Sequence, residues 1–193
     1  MIMENRNFMN KYAMQFGTYM GIFWIIKFAL FPFAFTIPFF DFLFLVLTIM
    51  VPFLGYYFAR TYRNGICDGG ISFTHAWIFT SFMYMFAALL TAAGHFVYFR
   101  FIDNGYIANS YLEILHEPVI KQQAVGDTLK QCEEAVNLFS SLRPIEITME
   151  LLSFDVIFGA LLAFPIAFFV KKKVLVTMKN DQEENNQEED NKE

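Results

Sequence analysis

The chain has 193 residues, 56 % of them hydrophobic and 26 of them Phe, with a mean hydropathy of +0.39 and a formal net charge of −5. So apolar a composition excludes an ordinary soluble globular protein, and the length leaves no room for a second full-sized core beside the apolar segments. The negative balance says little about partners, because seven of the nineteen acidic residues lie between Asp181 and Glu193.

A helix needs about 20 apolar residues to cross a hydrocarbon core. Such runs occur at 12–31, 39–59, 73–101 and 150–170. The expected fold is all-α: a polytopic membrane protein whose four transmembrane helices form one domain over 1–173, with a helical extracytoplasmic insertion at 102–148 and an acidic tail at 174–193.

The first run is too long for a cleavable signal, and the following FAFTIPFF offers no small-x-small cleavage site. Gly17 and Gly21 give it a GxxxG face, the spacing by which helices approach closely in lipid. Lys27 lies near its far end, where Pro32 and Pro38 punctuate a tight connection to the second run. Pro52, within that second run, removes a backbone donor and frees the Thr48 carbonyl.

The polar stretch ARTYRNGICDGGISFTHAW at 59–77 reads as a turn, with Asn64-Gly65 and Gly69-Gly70 as turn dipeptides and Ser72 or Thr74 as the cap of the next helix. Asp68 and His75 are then solvated or interfacial groups. The third run carries Ala88 and Ala92 at small-residue spacing, and His95 six residues before its end at Phe101.

In the insertion, Pro118 interrupts SYLEILHEPVIKQQ. The following DTLKQCEEAVNLFSSL has Asp127 or Thr128 as an N-cap and an apolar stripe of Leu129, Cys132, Val136 and Phe139. Such a helix covers its own bundle, lies on the membrane surface or docks a partner. The fourth run continues the small-residue pattern with Gly159, Ala163 and Ala167, is interrupted by Pro165, and carries Asp155 near its start. Pro52 and Pro165 lie at similar depth, where two kinks either frame a cytoplasmic-facing vestibule or, more commonly, only bend the packing. The tail has too little apolar surface to fold.

Lys27, His95 and Asp155 fall about 6, 9 and 8 Å from the outer ends of their runs by helix rise. A charge in hydrocarbon is costly, so a cation, an anion and an imidazole at one level point to a polar cluster in which Lys27 pairs with Asp155, roofed by the insertion. The alternative is that all three snorkel to the interface.

Nine Lys and Arg residues flank the side holding the termini and four the other, which places both termini in the cytoplasm. Cys67 and Cys132 then lie on opposite sides and cannot pair. No HExxH, GxSxG or phosphate-cradling glycine loop occurs, and His75, His95 and His116 lack metal-site spacing. No enzyme, metal or cofactor is expected, nor nucleic acid, since basic residues hug the membrane boundaries.

The segments KYAMQFGTYMG, YRNGICDGGISFTHAW and YFRFIDNGYIANSYLE, followed by a polar helical segment and a last helix ending in KKK, resemble the bacterial membrane family known as domain of unknown function (DUF) 4199. The resemblance implies a four-helix inner-membrane protein without established activity or catalytic residues. It also implies an association with envelope glycan or lipid-linked sugar metabolism through a partner such as a membrane-associated glycosyltransferase. The leading expectation is therefore a non-enzymatic membrane subunit or scaffold, in contact with membrane lipid and open to homo-oligomerisation through its small-residue faces. The second is a small transporter or lipid-handling protein whose polar site is Lys27, His95 and Asp155.

Overall fold

The computed structural model describes residues 2–123 and 127–172. The tail expected at 174–193 lies outside the described residues. The described residues are almost entirely helical: α1 (Ile2–Ala34), α2 (Pro38–Ile66), α3 (Phe73–Phe101), α4 (Tyr106–His116), α5 (Pro118–Gln123), α6 (Thr128–Ser141) and α7 (Pro144–Val170). Four of them, α1, α2, α3 and α7, are long and apolar enough to cross a membrane.

The helices overrun the hydropathy windows. α1 continues through Pro32 to Ala34, because a proline near a helix end costs only one bond and the turn falls at Phe35-Thr36. Asn64-Gly65 also lies inside α2, whose true exit is the left-handed pair Asp68 (φ 49°) and Gly69 (φ 79°). Ser72 then caps α3, its Oγ accepting from the His75 amide at 3.3 Å. α7 begins at Pro144, where the Arg143 amide donates to Glu146 Oε2 at 2.8 Å.

α3 is the centre of the bundle and packs along α1 on one side and α7 on the other, while α2 closes the fourth side against α1 and α7. Close approach sets this order. A β-carbon on Gly17 would lie 2.6 Å from the Met83 carbonyl, and one on Gly159 would lie 2.7 Å from Tyr84 Cβ. Gly21 abuts Leu90 and Ala87 in the same way; Ala88, Ala163 and Ala167 are fully enclosed and Ala92 nearly so.

At the end carrying both termini the core is dense. The Tyr62 and Phe79 rings stack at 3.8 Å, and the Tyr62 hydroxyl meets His75 Nε2 at 3.1 Å. Arg63 donates from Nη1 to the Val170 carbonyl at 2.8 Å, supplying the last turn of α7 with a cation. Ile71 and Lys172 exchange backbone hydrogen bonds just beyond.

α2 and α7 run unbroken through Pro52 and Pro165, and a β-carbon on Gly55 would lie 2.9 Å from Ile166 Cδ1, so the helices touch just past the prolines. Tyr84 fills the space left by Gly55 and Gly159, donating its hydroxyl to the Val51 carbonyl at 3.3 Å.

At the other end sits the insertion. Asp103, itself buried, accepts from the amides of Gly105 and Ile107 at 3.0 and 3.1 Å, reversing the chain from α3 into α4. α6 leans on α4, with Leu129, Glu133, Val136 and Phe139 half-buried. Cys132, expected in that stripe, is exposed; Glu133 takes its place because it meets His116 Nε2 at 3.1 Å. Phe99, Ile107 and Ile147 join the insertion to the bundle in a second apolar cluster, against which Phe28, Phe31, Phe139 and Leu151 pack.

Candidate functional site

Below that second cluster lies a cavity of about 450 Å³ lined by all four long helices. α1 contributes Trp24, Lys27, Phe28 and Phe31; α2 Phe44, Thr48 and Val51; α3 Thr91 and His95; α7 Leu151, Asp155, Phe158, Gly159 and Leu162. The three ionisable residues picked out at the outer ends of their runs therefore share one chamber. No residue of the insertion lines the cavity; Phe28, Phe31 and Leu151 belong both to its wall and to the apolar cluster that Ile107 of α4 and Phe139 of α6 join.

Lys27 and Asp155 share the chamber and interact across it, but they make no ion pair within 4.0 Å. Among the described residues the ion pairs are His116–Glu133, Lys130–Asp127 and Arg143–Glu146, all in the insertion or at the head of α7. Lys27 instead reaches across to α2, its Nζ 5.1 Å from the centre of the Phe44 ring. Asp155 Oδ2 is enclosed with no hydrogen-bond partner in the protein.

Lys27 and Asp155 also lie deeper than their apolar windows imply. Measured from the true helix ends, Lys27 is about 10 Å and Asp155 about 16 Å along its helix, because both helices are longer than their apolar windows. His95 stays where its spacing from Phe101 put it. It does not snorkel: the ring is 5 % exposed and packs edge-on against Phe28 at 4.3 Å, with Nδ1 enclosed and without a partner.

Trp24 was not visible as a site residue. Its ring stacks on Tyr84 at 5.8 Å, and its Nε1 is a further enclosed donor without a protein acceptor. Nothing in the local sequence marks it, since a Trp in an apolar helix is as often simple packing. Thr91, by contrast, turns its hydroxyl back to the Ala87 carbonyl at 2.9 Å and is satisfied.

The cavity thus presents a cation, an indole donor, an imidazole and a carboxylate to one chamber, with phenylalanine and leucine over the remainder. Thr48 and Phe158 line it and are also exposed on the bundle surface, so it opens sideways between α2 and α7 toward whatever surrounds the helices. The described residues hold no group of three or more His, Cys, Asp or Glu arranged for a metal ion.

Asp68 and His75 fall at the opposite end of the bundle, in the turn and the first turn of α3, away from this chamber. Cys67, beside them, is half-buried, and burial above all pushes its thiol up from the ordinary range, with Asp68 adding to the rise and a hydrogen bond to Tyr62 opposing it.

A long four-helix membrane-type bundle with a capping helical insertion and a mixed-polarity internal chamber defines the class. The family model for the protein of unknown function DUF4199 matches residues 15–172, and the chain belongs to that family. No curated protein and no solved structure matches it.

Proposed function

We propose that this chain is a non-enzymatic integral membrane protein that holds an amphiphilic molecule, a membrane lipid in the first instance, in its four-helix cavity. One observation carries this reading: Lys27, Trp24, His95 and Asp155 converge on a chamber of about 450 Å³ that is otherwise apolar and open at the flank. That volume lies within the range of small-molecule sites, about 300–1,000 Å³, where a few convergent polar groups set orientation. A structural cluster would pair its charges; here Asp155 Oδ2 and His95 Nδ1 are enclosed without a hydrogen-bond partner in the protein.

The positive-charge asymmetry supports an orientation with both termini cytoplasmic and the α4–α6 insertion outside, in the bacterial inner membrane that we propose from the family resemblance. A membrane-impermeant maleimide added to intact cells should then label exposed Cys132 and spare Cys67. The reverse pattern would invert the topology.

The test of lipid holding is mass spectrometry of protein purified in mild detergent, comparing wild type with Thr48→Trp. Thr48 points into the mouth of the cavity and its hydroxyl only bonds back to Phe44 O at 2.8 Å, so the larger ring blocks the chamber without breaking a cross-helix contact. Retained lipid in the wild type and loss in the variant support the reading. Equal lipid in both, with both folded, sinks it.

A second reading, a subunit or scaffold for an envelope protein such as a glycosyltransferase, draws on the insertion. Val119 and Leu138 are 59 % and 66 % exposed on helices that lie beyond the spanning segments, a place where apolar side chains meet a partner or the membrane surface. A stoichiometric protein recovered with the wild type and lost with Leu138→Asp would favour it.

A further inference from the structure

Resting on the lipid-holding reading, we propose that the cavity selects a lipid whose headgroup is zwitterionic and ends in a primary ammonium, its anionic group seated at Lys27 and Trp24 and its ammonium at Asp155. Lys27 and Asp155 project from α1 and α7 into the same chamber without pairing, and each therefore has capacity for a group of opposite charge.

The unsatisfied atoms define what a ligand must bring. Trp24 Nε1 is a donor without an acceptor and Asp155 Oδ2 an acceptor without a donor; both atoms are enclosed, so each meets a ligand only after its side chain rotates into the chamber. A phosphodiester oxygen answers the first together with the Lys27 ammonium; a primary ammonium, with three N–H donors, answers the second. His95 Nδ1 serves either side according to its tautomer. A quaternary ammonium carries the same charge but has no N–H to give Asp155.

Charge balance decides between lipid classes. Lys27 and Asp155 together are neutral, so a zwitterion leaves the chamber neutral with both of its ends matched. A lipid of net negative charge would satisfy Lys27 but face Asp155 uncompensated in a low-dielectric site. Phe158 and Leu162 on the flank, and the sideways opening beside Thr48, suit acyl chains rather than a wholly polar solute.

The experiment is native mass spectrometry of the full chain, exchanged into detergent and titrated with phosphatidylethanolamine, phosphatidylcholine or phosphatidylglycerol of matched acyl chains, and separately with soluble phosphoethanolamine as competitor. Expected is phosphatidylethanolamine binding at least about tenfold tighter than either other lipid, a preference of the size one charged hydrogen-bonded contact gives. Soluble phosphoethanolamine should not displace it. Asp155→Asn should reverse the order in favour of phosphatidylglycerol, and Lys27→Met should weaken phosphatidylethanolamine and phosphatidylglycerol together.

Equal affinities, or a wild-type preference for phosphatidylglycerol, overturn the headgroup assignment while leaving lipid holding intact. Displacement by soluble phosphoethanolamine overturns the lipid part and keeps the zwitterion. Binding that survives Thr48→Trp places the lipid outside the cavity, and both readings then fall. The wild-type ranking decides by itself should either charge variant fail to fold.

Discussion

The two ends of this bundle are built from the same four helices and differ in what fills the space between them. At the termini end, Gly55 and Gly159 let Tyr84 enter between α2 and α7, Tyr62 stacks on Phe79, and Tyr62, His75 and Arg63 find protein partners, with Ser81 Oγ the enclosed exception among the described residues. At the insertion end the helices enclose a chamber in which Asp155, His95 and Trp24 keep unsatisfied atoms. The first end has the character of a scaffold that specifies the fold. The second keeps polar groups unpaired around a cavity, the arrangement the proposed lipid binding rests on.

The largest effect should come from forcing a side chain into the dense end. Gly159→Leu places carbon where Tyr84 Cβ already stands, 2.7 Å from the first added atom, and neither helix can yield without displacing α3. Overpacking typically costs about 1–3 kcal/mol and more where backbones must part. Loss of monodisperse protein on size exclusion is expected. A variant as stable as the wild type would show that the two helices are not in close contact.

Next in size is Tyr84→Phe, which keeps the ring and removes the donor to the Val51 carbonyl. A drop in melting temperature corresponding to about 1 kcal/mol is expected, because the partner carbonyl is left buried. Gly65→Ala should act in the other direction: it lies in the exposed last turn of α2 with nothing within 4 Å of an added β-carbon, so a gain of about 0.5–1 kcal/mol follows from the lost chain entropy.

Asp155→Asn sharpens the comparison most: no ion pair within 4 Å is broken, but Lys27 in the same chamber loses its counter-charge, so a small loss of about 0.5–1 kcal/mol is expected. A loss of several kcal/mol in thermal melts would show that Asp155 is a structural partner of Lys27 after all. Chemistry at the dense end provides a separate check. Because burial raises the Cys67 thiol, less of it is thiolate at a given pH, and its alkylation should become fast only at higher pH than for an ordinary cysteine; fast labelling near neutrality would show the turn to be open.

Local sequence determined the four spans, a cap at Ser72 or Thr74, the break at Pro118 and the family, because each rests on the composition or spacing of neighbouring residues. It also marked Lys27, His95 and Asp155, since a polar side chain in an apolar helix stands out without any knowledge of its surroundings. Tertiary structure alone decided that these three share a chamber yet do not pair, that Trp24 joins them, and that Glu133 rather than Cys132 turns toward α4. The physical reason is that lipid is as apolar as a neighbouring helix, so hydrophobicity cannot tell a packed face from an exposed one. Where each side chain ends up depends on how closely the backbones approach, and that is set at Gly17, Gly55 and Gly159 by the residues across from them.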